Sequence, residues 1–450
     1  MESGTYLRLP SELLQFLLKR RGYKIMIKGE PGTGKTVLAI NLASMFSSLF
    51  KVIYLTSMVT SEELSIDYPI IKKYLNKVSL LDGSMSIRPV AHEEAKSFKY
   101  TERIRFLRAL YDEVKDGREP IYVIVDSIDE LKYNLGLREE DITLERALFD
   151  LCREMNMRLI LISEKIGANR LDYMVDAILE LTRFYIGSNV IRKLIIKKMR
   201  GVTLKTHTFL FTLKNANFKV LTPQNSSIYE FIKRMKLSYK PILKNDVLST
   251  GIPELDAALG GGYKIPSFNT IELVEELGTL YDYVYLPTLI NHIASGRKVW
   301  FVSSFPINVE EFKKSLRSLF KEGDDGILEV IRVSDKESAL RLKDEVNRRI
   351  KKGDLMIIDD GGLKEFLGDI FKDTLRKILD VTNKKGSVVV YITRSIKNRR
   401  NMIGRIDTYL RVHRMYGVVL IEGVIPKTTF LYPYIEVKNG RLISKMDEVV

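Results

Sequence analysis

The residues best placed to do chemistry are Gly29, Glu30, Pro31, Gly32, Thr33, Gly34, Lys35 and Thr36, written GEPGTGKT. They fit the spacing G-x-x-x-x-G-K-[ST], in which glycine conformations let successive backbone N–H groups turn inward around an anion. This makes them a candidate cradle for nucleotide phosphates. Lys35 would meet the outer phosphates as a point charge, and the Thr36 hydroxyl would hold magnesium. A metal site of this kind needs a carboxylate as well. Asp126 closes the apolar run IYVIVD, where a parallel strand would deliver its side chain to the top of a sheet; capping of the next turn is the alternative use. The cofactors expected are ATP and Mg2+.

These residues need elements to position them. KIMIK before the cradle alternates as a strand does, and VLAINLASMF after it is apolar at helical spacing. KVIYLTS, RLILISE and AILELT are further strand signals, separated by helical stretches such as ITLERALFDLCREM. Alternation of this sort predicts a doubly wound parallel sheet with ligands beyond the carboxyl ends of its strands, where Lys35, Asp126, Ser163 and Glu164 would gather.

The order GEPGTGKT, VIVDS, LDYMVDAILEL and IIKKMRGVTLKTHTFLFTLKNANFKV resembles the KaiC-like branch of RecA-type ATPases. LPSELLQFL before the cradle and LTSMVTSEELSIDYPIIKKYL after it look closer still to the archaeal P-loop proteins named after the gas-vesicle regulator GvpD. The resemblance covers about the first 220 residues. It implies stacking into rings or filaments, in which a K-x-R-G strand reaches the neighbour's nucleotide. That pattern falls on Lys198, Met199, Arg200 and Gly201, making Lys198 and Arg200 candidates for phosphate sensing in trans; a solvated basic strand is the alternative. One departure weighs against fast catalysis. Such enzymes carry a glutamate directly after the second strand to orient water, and here that place reads Thr56-Ser57-Met58-Val59-Thr60. Glu62, Glu63, Asp129 and Glu130 are the nearest substitutes and none fits the position well. Tight ATP binding with slow hydrolysis, at most a weak ATPase, is expected.

The second half repeats the landmarks of the first. GVTLKTHTFLFTLKNANFKVL is echoed by GVIPKTTFLYPYIEVKNGRLI, Asp126 by Asp359, and Asp176 by Asp407, in the same order. The expected fold is α/β: two tandem RecA/KaiC-like domains, each a mostly parallel sheet flanked by helices, spanning 1–223 and 247–450 with a linker at 224–246. LSTGIPELDAALGGG resembles the opening of a KaiC-like domain, yet no glycine-lysine pair follows it. Only Gly278 remains there, and Glu275 and Glu276 would repel a triphosphate. The second nucleotide site is therefore expected to be degenerate, with Asp359 and Asp360 as strand-end carboxylates.

Bulk properties set the outer limits. The 450 residues are 45% hydrophobic and 29% charged, the balance of a folded chain. The single cysteine, Cys152, excludes an intrachain disulfide, and no zinc-ligand spacing is written. No apolar run is long enough for a membrane span and the start lacks a signal peptide's apolar segment, so a cytoplasmic protein without membrane partners is expected. Net charge is +15, and Arg394, Lys397, Arg399, Arg400 and Arg405 form a candidate nucleic-acid patch, or a soluble basic loop. Two functions follow. One is an ATP-dependent regulatory switch acting through a homo-oligomer or a protein or transcriptional partner; the other is a recombinase-like or repair-associated ATPase on DNA.

Overall fold

The computed structural model describes residues 7–19, 22–57, 63–64, 66, 68, 78–82, 107–108, 110–115, 121–235, 237–303, 309–317, 319, 327–394 and 406–450. The chain divides into two compact units, Met1–Leu221 with Val450, and Thr222–Val449.

In the first unit the parallel strands β1 (Lys24–Gly29), β2 (Val52–Thr56), β3 (Val78–Asp82), β4 (Tyr122–Asp126), β5 (Arg158–Ser163) and β6 (Ala177–Ile186) are extended by antiparallel β7 (Asn189–Met199), β8 (Thr208–Thr212) and β9 (Lys219–Val220). Their order is 3-2-4-5-1-6-7-8-9. Side chains of a strand alternate between faces, so each central strand feeds two cores. Ile25, Ile27, Tyr54, Ile124 and Ile160 pack on one face with Leu13 and Leu17 of helix α1 (Ser11–Lys19) and Leu38, Leu42 and Phe46 of helix α2 (Lys35–Phe46). Met26, Ile53, Val123, Val125 and Leu161 face Ile128 and Leu131 of α3 (Ile128–Asn134) and Leu144 and Leu148 of α4 (Thr143–Glu154) on the other. Burial on both faces is why these strands read as continuous apolar runs rather than alternating ones.

The second unit opens with a two-stranded sheet, β10 (Val247–Leu248) and β11 (Tyr263–Lys264). Its parallel set is β12 (Ser267–Leu273), β13 (Val299–Ser303), β14 (Leu328–Arg332), β15 (Leu355–Asp359), β16 (Val388–Thr393) and β17 (Thr408–Met415). β18 (Val418–Ile425), β19 (Lys427–Lys438) and β20 (Arg441–Val449) complete it antiparallel, in the order 14-13-15-16-12-17-18-19-20, which matches the first unit strand for strand. The registers agree too. Thr56 opposes Asp126 as Ser303 opposes Asp359. Asp176 Oδ2 accepts from the Lys24 backbone N–H at 3.0 Å, and Asp407 Oδ2 accepts from that of Phe268 at 3.0 Å. The fold is thus two tandem α/β domains, as the repeated landmarks predict.

The stretch read as a linker differs from that expectation. It holds the helix Ile228–Arg234, whose Ile228 and Ile232 enter the core of the second unit with Leu277 and Tyr285. Two apolar residues four apart give that short helix a buried face despite its basic surroundings. Among the described residues no helix is long and apolar enough to cross a membrane.

Candidate nucleotide site

β1 ends at Gly29 and α2 begins at Lys35, so the cradle is the turn between them. Gly32 and Gly34 take positive φ values of 76° and 100°. A Cβ on Gly29 would sit 2.5 Å from the Leu181 carbonyl oxygen, so the loop can lie this close to β6 only as glycine. α2 has neither a side-chain cap nor an acidic residue in its first turn, which leaves its N–H groups and positive dipole end to an anion.

Lys35 is buried. Its Nζ donates to the carbonyls of Gly29 at 2.8 Å and Glu30 at 3.0 Å, and lies 3.8 Å from Glu164 Oε1. Burial lowers its pKa, while Glu164, Asp126 and Asp129 raise it. Asp126 ends β4 and is 7% exposed, with Tyr54 donating to its Oδ2 at 2.7 Å. Burial raises its pKa, opposed by hydrogen bonds from Tyr54 and Thr36 and by the Lys35 charge. Lys35, Thr36 and Asp126, proposed from sequence, thus come together at the carboxyl end of the sheet. A cation held by Thr36 and Asp126 would repay the desolvation of the carboxylate. Among the described residues no group of three or more His, Cys, Asp or Glu gathers for a metal, so further ligands would have to come from the nucleotide and water.

The water-orienting position is otherwise engaged. Ser57 Oγ donates to the Ser127 carbonyl at 2.9 Å and accepts from the Ser127 N–H at 2.8 Å, tying the end of β2 to the end of β4. Asp129 Oδ2 accepts from Ser163 Oγ at 2.7 Å and the Glu164 N–H at 2.8 Å, bracing the end of β5. Glu130 lies in the first turn of α3, its N–H donating to Ser127 Oγ at 3.3 Å. Glu63 is described and exposed, whereas Glu62 lies outside the described residues.

Lys198 and Arg200 sit elsewhere. Lys198 pairs in register with Ile178, whereas Gly29 pairs with Leu181 and Leu181 with Leu194. Lys198 is therefore four strand positions from the cradle row, about 13 Å toward the opposite end of the sheet. Its Nζ donates to the Asp172 carbonyl at 2.5 Å, and Arg200 Nη2 to that of Tyr173 at 2.7 Å. Neither reaches Lys35 within its own chain.

Two arginines escaped the sequence reading. A Cβ on Gly32 would meet Arg183 Nη1 at 2.8 Å, so this guanidinium lies against the cradle. Arg192 is its cross-strand partner, and its Nε and Nη1 are buried with no hydrogen-bond partner among the described residues. Burial and the Arg183 charge lower its pKa. Only strand register brings Arg183 to Gly32 and sets Arg192 opposite it, and the sequence pattern does not encode register directly. Of the basic patch, Lys397, Arg399, Arg400 and Arg405 lie outside the described residues. Arg394 is ion-paired with Asp359 at 2.8 Å.

The comparison with known proteins fits this geometry. The family profile described as "GvpD gas vesicle protein, P-loop domain" matches residues 13–198. The chain carries a GvpD-type P-loop domain. Protein GvpD2 of Halobacterium salinarum is 26% identical to the chain over 296 residues, 64% of this chain and 59% of that protein. Protein GvpD1 of the same organism is 26% identical over 292 residues, 63% and 54% respectively. The aligned part thus spans less than two thirds of either relative's length. The GvpD-type domain holds all eight cradle residues and Asp126, and a P-loop domain implies that a nucleotide is bound.

Proposed function

We propose that this GvpD-type chain is an ATP-binding regulatory switch, holding Mg-ATP in its first domain, hydrolysing it slowly, and acting through an oligomer or a partner. The observation that carries the reading is Lys35 and the Thr36–Asp126 pair converging on an open helix N-terminus, while the residue that should orient water is locked into the sheet as Ser57. Thr36 and Asp126 would hold magnesium, which supplies charge neutralisation to the outer phosphates when bound. Lys35 orients those phosphates, and its two carbonyl contacts keep it aimed at the loop before ligand arrives. Glu164 is the closest carboxylate to Lys35 and is partly solvent-exposed, so residual water activation is assigned to it. The names of the matched relatives point to gas-vesicle regulation as the setting, through a protein or transcriptional partner.

Calorimetric titration tests the site. The chain should bind Mg-ATP, Lys35→Ala should weaken it about 10- to 100-fold, and Asp126→Asn should abolish the magnesium dependence. Unchanged affinity in Lys35→Ala removes the reading. Sizing with and without Mg-ATP addresses Lys198 and Arg200: nucleotide should enlarge the species, and Arg200→Ala should prevent this. The same experiment in the presence of DNA, at low and moderate salt, separates the switch from a DNA-assembled ATPase.

A further inference from the structure

The second unit builds something else where the first keeps its cradle. Asp359 stands in register where Asp126 does, but it is fully buried and already satisfied. Its Oδ1 takes Arg394 Nη1 at 2.8 Å and its Oδ2 takes the Tyr281 hydroxyl at 2.7 Å. Arg394 follows β16 as Glu164 follows β5, so an arginine closes from within the place a metal would occupy. Above this floor a cavity of about 510 Å3 opens between the loop 274–281, the start of helix α7 in this unit (Asp282–Ala294) and the helices Ile228–Arg234 and Val309–Arg317. That volume suits a small organic molecule.

The walls are aromatic. Tyr229, Tyr285 and Phe312 line the cavity, and Tyr285 and Phe312 are each stacked on Phe301, at 5.6 and 5.7 Å, so both rings are held rigid. The charge balance is acidic. Arg394 is neutralised by Asp359, and Glu311 is ion-paired with Lys233. Two carboxylates remain. Glu276 is on the exposed rim, and Asp282 is only 4% exposed. Asp282 Oδ2 accepts from the Tyr229 N–H at 3.0 Å, while Oδ1 is buried without a hydrogen-bond partner among the described residues. Three aromatic rings below a rim that carries the Glu276 carboxylate favour a cation and disfavour a phosphate or carboxylate.

We propose that this cavity binds a small organic cation, an amine whose apolar body lies against Tyr229, Tyr285 and Phe312 and whose ammonium group is met by Glu276 at the rim. The proposal draws on residues of the second unit and does not rest on the nucleotide reading.

Calorimetry on the full chain tests it with phenethylamine, using phenylacetate and phenylethanol as anionic and neutral counterparts of similar shape. The amine should saturate one site per chain with a Kd of about 1 mM or tighter, and each counterpart should bind at least about tenfold more weakly. Glu276→Gln should weaken the amine about fivefold, and Thr279→Trp, filling the mouth from an exposed position, should abolish binding. Both substitutions are on the exposed rim, so neither places the fold at risk. Lys35→Ala should bind the amine as the parent does, which separates this result from the fate of the nucleotide reading. Failure to saturate, equal binding of either counterpart, or amine binding that survives Thr279→Trp overturns the proposal.

Discussion

Lys35 and Asp126 are legible in the sequence because each belongs to a short local pattern, a loop spacing in one case and an apolar run ending in a carboxylate in the other. Arg183 against Gly32 and Tyr54 on Asp126 reach the site through strand pairing and register, and no local pattern reports it. Arg394, which the sequence suggested for a basic surface, stays exposed while its guanidinium pairs with Asp359. Two buried groups of the second unit make a prediction at this scale. Burial pushes Asp282 up to about 7, against the Tyr229 and Ile228 N–H groups that favour its charged form. Burial, aided by Arg297, pushes His292 down to about 4. The folded chain holds the Asp282 proton more tightly than the unfolded chain, so that contribution is full below about pH 3.8 and is lost as pH rises to about 7. It resists the His292 proton, so that contribution is full above about pH 6.5 and is lost as pH falls to about 4. The two slopes oppose each other. In urea unfolding between about pH 4.5 and about pH 6.5, Asp282→Asn should leave stability rising with pH and His292→Gln should leave it falling, each by at most about 3 kcal/mol. Parallel slopes in the two variants would refute the assignment.

At the scale of elements, the strands were readable from their apolar runs, while the helix Ile228–Arg234 was hidden because its seven residues bury only Ile228 and Ile232. The lead-in LSTGIPELDAALGGG has a structural use that its resemblance to a nucleotide-site approach conceals. Buried Asp256 accepts from Ser249 Oγ at 2.5 Å and from the Thr250 N–H and Oγ1 at 2.7 Å each, and pairs with Lys244 at 2.9 Å. Gly251, at φ 77°, lies so close to helix α7 that an added Cβ would be 2.3 Å from the Pro287 carbonyl oxygen. The approach therefore fixes α7 and can persist without any phosphate to bind. Gly251→Ala should cost about 3 kcal/mol, whereas Gly278→Ala, at φ 56° with no atom nearby, should cost only about 1 kcal/mol of backbone strain. Thermal unfolding of the two variants checks the difference; equal losses would mean that Gly251 does not brace the helix.

For the whole molecule, one strand order used twice accounts for a chain in which chemistry is written once. The duplication was visible from ordered landmarks, because Asp176 and Asp407 make the same backbone bond in both halves. Calorimetry should count about one nucleotide per chain, and still only one, about 10- to 100-fold weaker, in Lys35→Ala, since the second half meets phosphate with Glu276 and a satisfied Asp359. A second equivalent of tight ATP would contradict that asymmetry. The Tyr281–Asp359–Arg394 closure also bears on how the two halves can diverge. Restoring a lysine near Gly278 would add a cation beside Arg394 while Asp359 stayed bound, and removing Arg394 first would strand a buried carboxylate. Each single step is unfavourable, so the second half works as a ratchet against a metal-and-phosphate site and leaves the space to occupants of other chemistry.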